Sequence, residues 1–298
     1  MKSRHAFTML ELIFVIVVMG IIGKFGVEFL ARAYQSFIFS KVNHTLQSHS
    51  ASTVEFISTR LQNRIKDSII ARKNDGSFDP LGSVDPTTAD DYKILEWVSA
   101  DVDGFRGDSL PYWSGMADIE DSLASEIVSP ETNTTAINAL IGILSNSNST
   151  VDDSALYFIG SNTDVRTGYG WDGNTSIIEA QQGSMHPIDS VAGVGNENKF
   201  TPDDSNLTEI YEYYKLAWTA YAVALEYNAT TNSNDLFLYS DYQPWEGDGY
   251  AAANKKDLLM QEVDTFQFMA IGSIVKIQVC MKTDLVEDYS LCKEKTIY

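Results

Sequence analysis

The sequence predicts an α+β protein in which a long N-terminal α-helix packs on an antiparallel β-sheet. An apolar run near the N-terminus is long enough for a membrane helix, and no proline or glycine interrupts residues 27–73. The C-terminal third holds segments rich in aromatic and β-branched residues, separated by short polar turns, which is typical of strands. The region between is rich in Asp, Gly, Asn and Ser, so large loop insertions are expected.

The N-terminal helix is expected to have two halves with different surroundings. The apolar run Phe7–Ile22 suits a membrane helix, and the one acid within it, Glu11, is costly enough there to imply a partner and a role. Farther along, apolar residues recur every three or four positions and share one helix face: Val54, Ile57, Leu61, Ile65 and Ile69. We therefore predict a transmembrane or assembly helix over 7–30 and a soluble stem helix over 31–73, ended by Asn74-Asp75-Gly76.

A short basic leader precedes the apolar run and ends at an Ala6-Phe7 junction, and Glu11 is the fifth residue counted from Phe7. This order resembles the leader of type IV prepilins and type II secretion pseudopilins, in which a dedicated peptidase cuts before a Phe and the fifth mature residue is Glu. The resemblance implies a leader of residues 1–6, cleavage between Ala6 and Phe7, N-methylation of Phe7 and a role for Glu11 in filament assembly. It also implies a pilin-like fold, with Ala6 standing where the family usually has Gly.

The same resemblance implies a single-pass protein of the bacterial inner membrane, with its C-terminal domain in the periplasm and later in a filament there or at the cell surface. Two alternatives remain open. An ordinary secretory signal would end at Ala31-Arg32-Ala33, but Glu11 interrupts the entry to its apolar core, and Lys24 and Glu28 charge the gap before that site. A plain signal anchor would leave Glu11 without a role.

The charge of the chain is strongly negative, with 41 acidic against 21 basic residues and a formal net charge of −20. Such a charge argues against nucleic-acid binding, which needs cations for the phosphates. Basic residues are concentrated before residue 74, whereas residues 75–131 contain only Lys93 and Arg106. This pattern suits a basic stem under an acidic soluble head, although the acid alone would also keep a surface soluble.

The central region, residues 74–210, is predicted to be an acidic, loop-rich insertion with few regular elements. Strands are expected at Tyr92–Ala100, Ala155–Gly160 and near Ile177-Ile178, and a short helix around Ile137–Leu144. Residues 211–298 are predicted to form the antiparallel sheet, since short turns join consecutive strands; these strands are Leu216–Tyr227, Asp235–Tyr242, Thr265–Ala270 and Ile274–Met281.

A second pattern lies in this sheet region, where the apolar segment Lys256–Val263 leads into Phe266-Gln267-Phe268. It resembles J-type minor pseudopilins and W-type minor pilins, from whose shorter members the 74–210 insertion departs. Many type IV pilins close a C-terminal loop with a disulfide, so the resemblance favours a bridge between Cys280 and Cys292, which an extracytoplasmic location permits. Two free thiols are the alternative.

The sequence offers few candidate catalytic, metal-binding or ligand-binding residues. The sequence contains none of the common nucleophile, phosphate-loop or zinc-protease motifs, so we expect neither an enzyme nor a cofactor. Asp101, Asp103 and Asp108 are a weak calcium candidate, because their spacing misses the EF-hand pattern. Trp113, Trp171 and Trp245 lie in turn-rich segments and are candidates for binding a glycan or a partner surface, unless the rings are buried under their own loops.

Four sequons carry an acid two positions before the asparagine, at Asn133, Asn174, Asn206 and Asn228. This extended form resembles the acceptor of bacterial N-glycosylation, although loops rich in Asn and Thr also produce such matches.

Together these features predict a minor pilin or pseudopilin, located at the filament tip and helping to initiate assembly. Its expected partners are other subunits through the N-terminal helix, the prepilin peptidase and the inner-membrane assembly platform. The alternative is a tip adhesin or binding subunit that uses the aromatic loop residues. A secretion-substrate contact in a type II system would share the fold, and the sequence does not distinguish a type IV pilus from a type II system.

Overall fold

The computed structural model describes residues 8–203, 207–283 and 289–298 of the chain. A long apolar N-terminal helix is followed by two antiparallel β-sheets, which confirms the α+β prediction. In chain order the helices are α1 (Met9–Gln62), α2 (Val102–Arg106) and α3 (Thr134–Leu144). The strands are β1 (Ile70–Lys73), β2 (Phe78–Pro80), β3 (Tyr92–Ser99), β4 (Ile127–Val128), β5 (Ala155–Phe158), β6 (His186–Ser190), β7 (Lys199–Pro202), β8 (Tyr214–Ala217), β9 (Thr219–Asn228), β10 (Ser233–Ser240), β11 (Lys255–Ile271), β12 (Ile274–Lys282) and β13 (Ser290–Ile297).

Helix α1 is 54 residues long, or about 80 Å at 1.5 Å per residue. The prediction that it continues to Lys73 is wrong. The helix ends at Gln62, and the backbone N–H of Asn63 bonds to the carbonyls of the last turn. The chain then joins the sheet as β1, where Ile70 and Ala71 belong to different hydrophobic clusters. Consecutive residues buried on opposite sides are typical of a strand between two layers, and a helix cannot bury them that way.

The larger sheet has eight strands in the order β13-β12-β11-β10-β9-β3-β1-β2, and each neighbouring pair is antiparallel. The predicted meander of C-terminal strands and its hairpin between β11 and β12 are confirmed. Sequence reasoning missed β13 and mistook the first half of β11 for a connecting segment. The remaining three strands come from the stretch that follows α1, so this sheet begins well before residue 211.

The smaller sheet has five strands in the order β4-β7-β6-β5-β8. With α3 it encloses a separate hydrophobic cluster, which makes the central insertion an ordered second layer. The strand predicted near Ile177-Ile178 is wrong, because Thr175–Gln181 forms a 3₁₀ helix that the Asn174 side chain caps. The predicted strand at 155–160 and the helix near 137–144 are confirmed.

A buried ion pair joins the two layers. The Arg72 guanidinium on β1 donates to the carboxylate of Glu96 on β3, and also to the carbonyls of Gly76 and Trp171 at 2.9 and 2.8 Å. The Tyr242 hydroxyl donates to the second Glu96 oxygen at 3.1 Å. Burial raises the pKa of Glu96, against the opposing charge of Arg72. The pair therefore connects two strands of the large sheet to the loop of the second layer that carries Trp171.

We expect Arg72→Met to lower the free energy of unfolding by about 3–5 kcal/mol, because it leaves the fully buried Glu96 charge without its partner. The matched control is Lys73→Met, since the neighbouring Lys73 pairs with Asp91 at 3.7 Å on the surface and should cost at most about 1 kcal/mol. Denaturant unfolding of the detergent-solubilised chain measures both. Equal losses in the two variants would contradict the assigned role of the buried pair.

Candidate functional site

The N-terminal half of α1 is exposed along its whole circumference. From residue 9 to 37, Val18 alone is partly buried and all other residues are exposed. The most apolar part of the helix is not buried against the rest of the chain, and the helix is long and apolar enough to cross a membrane. A surface of this kind requires cover from lipid or from other chains, which makes it the first candidate site.

Glu11 lies at the N-terminal end of this surface and takes part in a capping box. Its backbone N–H donates to the Thr8 hydroxyl at 3.3 Å, and its Oε2 atom accepts from the Thr8 backbone N–H and hydroxyl, both at 3.1 Å. The helix dipole also favours a negative charge at this position. These local donors lower the free-energy cost of placing the carboxylate here. The Oε1 atom of Glu11 makes no hydrogen bond to any described residue. Ala6 and Phe7, the predicted cleavage site, lie outside the described residues.

The second half of α1 is fixed to the sheet. Its inner face packs mainly on β12 and β13, through the buried residues Val42, Leu46, Ser50, Thr53, Val54, Ile57, Ser58 and Leu61. Where the helix leaves the sheet, the Phe39 and Tyr289 rings are 5.2 Å apart and the Tyr289 hydroxyl donates to Asn43 at 3.2 Å. We call the two sheets, together with the second half of α1, the head. The first half of α1 projects from this head as a continuation of the same helix.

The predicted disulfide is confirmed. Cys280 on β12 and Cys292 on β13 are direct register partners, and their Cα atoms lie 3.9 Å apart. Strand β13 is an edge strand and also the strand that α1 contacts most. The bridge therefore attaches this edge strand, and with it the packing site of the helix, to the interior of the sheet.

The three candidate tryptophans are buried, so the prediction that they form an exposed binding surface is wrong. Trp113, Trp171 and Trp245 expose 4, 2 and 0 % of their surface. The Trp113 indole donates to the Asp101 carbonyl at 3.1 Å, and that of Trp245 donates to the Asp153 carbonyl at 3.1 Å. Large rings beneath polar loops stabilise the second layer through their buried area.

The calcium candidate does not assemble either. Asp101 is buried and caps α2 by accepting from the Gly104 backbone N–H at 3.0 Å, while its other oxygen faces the Trp113 indole at 3.2 Å. It is not grouped with Asp103 and Asp108 as a ligand set: within residues 8–203, 207–283 and 289–298 no three His, Cys, Asp or Glu side chains are placed to hold a metal ion.

Among the sequon residues, Asn133 and Asn174 are exposed and Asn228 is partly buried. Asn206 lies outside the described residues.

Sequence reasoning missed the capping box at the start of α1, although Ser or Thr followed three residues later by Glu is its sequence signature.

An acidic group surrounds the short 3₁₀ helix Pro244–Glu246. Partial burial, followed by the charges of Asp203, Asp153 and their neighbours, raises the pKa of Glu246 to about 7. The folded chain therefore binds a proton at Glu246 more tightly than the unfolded chain does. Between the ordinary glutamate value and pH 7 this group favours the folded state increasingly as the pH falls.

We expect the unfolding midpoint to rise as the pH is lowered from 8 to 5.5, and Glu246→Gln to reduce this dependence. Because Glu246 remains partly exposed, solvent screening keeps the change small. Glu179→Gln, which removes an exposed acid from the 3₁₀ helix Thr175–Gln181, is the matched control. The assignment fails if the slope of stability against pH changes no more in Glu246→Gln than in Glu179→Gln.

Comparison of the chain with protein-family models, with curated proteins and with solved structures finds no match.

Proposed function

We propose that this chain is a pilin-like minor subunit of a type IV pilus or a type II secretion pseudopilus. The observation that carries the proposal is the division of α1: one continuous helix is bare and apolar over its first half and packed on an antiparallel sheet over its second. A subunit of this shape can stay in a membrane before assembly and can exchange lipid for neighbouring helices afterwards, with its apolar surface covered in both states.

The length of the bare segment favours helix neighbours over lipid alone. Residues 9–37 span about 43 Å at 1.5 Å per residue, which exceeds the roughly 30 Å hydrocarbon core of a bilayer. Lys24 and the Glu28–Arg32 ion pair, at 2.6 Å, mark a polar border within the segment. Beyond that border Tyr34 and Phe37 are still about two-thirds exposed, so other chains are needed to cover them.

Glu11 is proposed to guide the association of these helices. After cleavage before Phe7, a positively charged amine would lie close to Glu11 in sequence, and the amine of a neighbouring subunit could pair with the free Glu11 oxygen. In a medium of low dielectric constant, an unpaired charge is costly and a pair is strongly favoured. The subunit would therefore be more stable in an assembly than alone in lipid.

The size of the head supports a minor, tip-located role. Eight strands at a spacing of about 4.8 Å make a sheet roughly 35 Å wide, and the second layer adds to it, whereas a helix is only about 10–12 Å in diameter. Heads of this width cannot lie side by side at the spacing of packed helices. A subunit at the tip has no head above it, and its exposed helix would offer the first surface on which assembly begins.

The adhesin alternative loses its proposed binding residues, because the three tryptophans are buried. A type IV pilus and a type II secretion system remain equally consistent with the geometry, and a contact with a secretion substrate would use the same fold.

We expect the mature protein, extracted from the membrane, to begin at Phe7 and to carry one added methyl group on its amine. Intact mass and N-terminal sequencing measure both features. A chain that begins after Ala33 would instead be the product of an ordinary secretory signal, and the filament proposal would be rejected.

We expect cells that lack this chain to form fewer filaments, and Glu11→Gln to fail to restore them. The substitution keeps the size of the side chain but removes the charge that pairs with the amine. Glu28→Gln is the matched control on the same helix, since Glu28 has its own partner in Arg32. Filament counts by electron microscopy, with immunoblots of the membrane fraction to confirm equal protein, make the comparison. Normal counts in the deletion strain would rule out an initiating role.

A further inference from the structure

The proposed function makes no use of the acidic sequons. Six N-x-S/T sequons occur in the chain, and four of them have an acid two positions before the asparagine. Glycans attach to asparagines of surface loops in secreted proteins. The sugar is joined to the Nδ2 atom, so the hydrogen bonds of that atom distinguish the sequons.

Asn133 and Asn174 have the same local geometry. Asn133 caps α3, and its Oδ1 atom accepts from the Ala136 backbone N–H at 3.0 Å. Asn174 caps the 3₁₀ helix Thr175–Gln181, and its Oδ1 accepts from the Ser176 backbone N–H at 3.0 Å. In both cases the oxygen is engaged and the side chain is exposed, while Nδ2 makes no hydrogen bond to any described residue.

The remaining groups of these two sequons are also accessible. The preceding acids, Glu131 and Asp172, are exposed, as are the hydroxyl residues Thr135 and Ser176 two positions after each asparagine. Both sequons lie in the central insertion, outside the unit that α1 forms with the large sheet. A glycan at either site would therefore leave the packed half of α1 unchanged.

In two other sequons the Nδ2 atom of the asparagine is already hydrogen-bonded. The Nδ2 atom of Asn228 donates to the Asp235 carboxylate at 2.8 Å, and Asp235 is itself buried. The Nδ2 atom of Asn148 donates to the Ser145 carbonyl at 2.8 Å, and this sequon has no preceding acid. In each case glycosylation would require the loss of an existing hydrogen bond.

We infer that Asn133 and Asn174 are N-glycosylation sites and that Asn148 and Asn228 are not. The donor is a lipid-linked oligosaccharide diphosphate on the extracytoplasmic side of the membrane. The Nδ2 atom forms a C–N bond to the anomeric carbon of the first sugar, and the C–O bond to the diphosphate breaks with its electron pair on the leaving oxygen. One amide proton passes to a base of the transferase.

The test uses the full chain purified from membranes of its native cells. Intact mass gives the number of glycans, and glycopeptide sequencing gives their positions. Because no Lys or Arg lies between residues 107 and 165, trypsin leaves Asn133 and Asn148 in one peptide. No acidic residue lies between these two asparagines either, so a protease that cuts after leucine, at Leu140 or Leu144, is needed to separate them. We expect sugar mass on the peptides of Asn133 and Asn174 and none on those of Asn148 and Asn228.

The matched variants are Asn133→Asp and Asn174→Asp. Aspartate keeps the oxygen that caps the helix but lacks the amide nitrogen, so folding is preserved while the acceptor is removed. Each variant should lose the mass of one glycan, and the double variant should lose both. Glu131→Gln should reduce the glycan at Asn133 and leave that at Asn174 unchanged.

An intact mass equal to that of the bare polypeptide would overturn the inference, and so would equal modification of Asn228 or Asn148. The filament proposal is tested separately by the same spectrum, because a chain that begins at Phe7 without sugar rejects the glycosylation sites alone.

Discussion

One constraint governs this structure: a single helix must satisfy two different surroundings. Over its second half α1 presents a stripe of apolar and small residues, from Val42 to Leu61, that matches the surface of β12 and β13. Over its first half it is mostly apolar, is exposed on every side and does not pack on the rest of the described chain. The head can therefore fold around the second half while the first half remains available for lipid or for other helices. The position of Val42, where the buried stripe begins, sets the length of helix that projects from the head.

The head holds α1 at the β13 edge of the large sheet. The helix lies over the last two strands of the large sheet, and the Cys280–Cys292 bridge joins these two strands directly. Outside the cytoplasm such a bridge persists. A force applied to α1 would act on β12 and β13 together, because the helix packs on both strands and the bridge joins them. The opposite side of the large sheet is joined to the second layer by the buried Arg72–Glu96 pair.

Much of this arrangement follows from local sequence patterns. The apolar run, the hairpin between β11 and β12 and the strands at 92–99 and 155–158 are all recognisable, because each depends on periodicity and turn residues nearby in the chain. The cysteine pairing was implied by a family resemblance, and the structure confirms it.

Two of the errors, the end of α1 and the exposure of the tryptophans, share one cause, which is the second layer. Ile65 and Ile69 continue the helical spacing of α1, yet the chain leaves the helix because Ile70 and Ala71 each have a core to enter on opposite sides. Likewise, Trp171 and Trp245 lie among Gly and Asp residues that suggest exposed loops. Their rings are buried because the loops fold against the large sheet, and a single sequence contains no signal for contacts between such distant segments.

The edge strand β13 is protected against pairing with strands of other molecules. An edge strand presents unpaired backbone groups that can recruit strands from other molecules. Here the strand carries Lys293, Glu294 and Lys295 in succession, Lys295 is paired with Glu55 of α1, and α1 lies across the strand. Charged side chains and a covering helix both oppose pairing at a sheet edge. The same residues whose charges disguise β13 in the sequence thus oppose pairing of this sheet edge with a strand of another molecule.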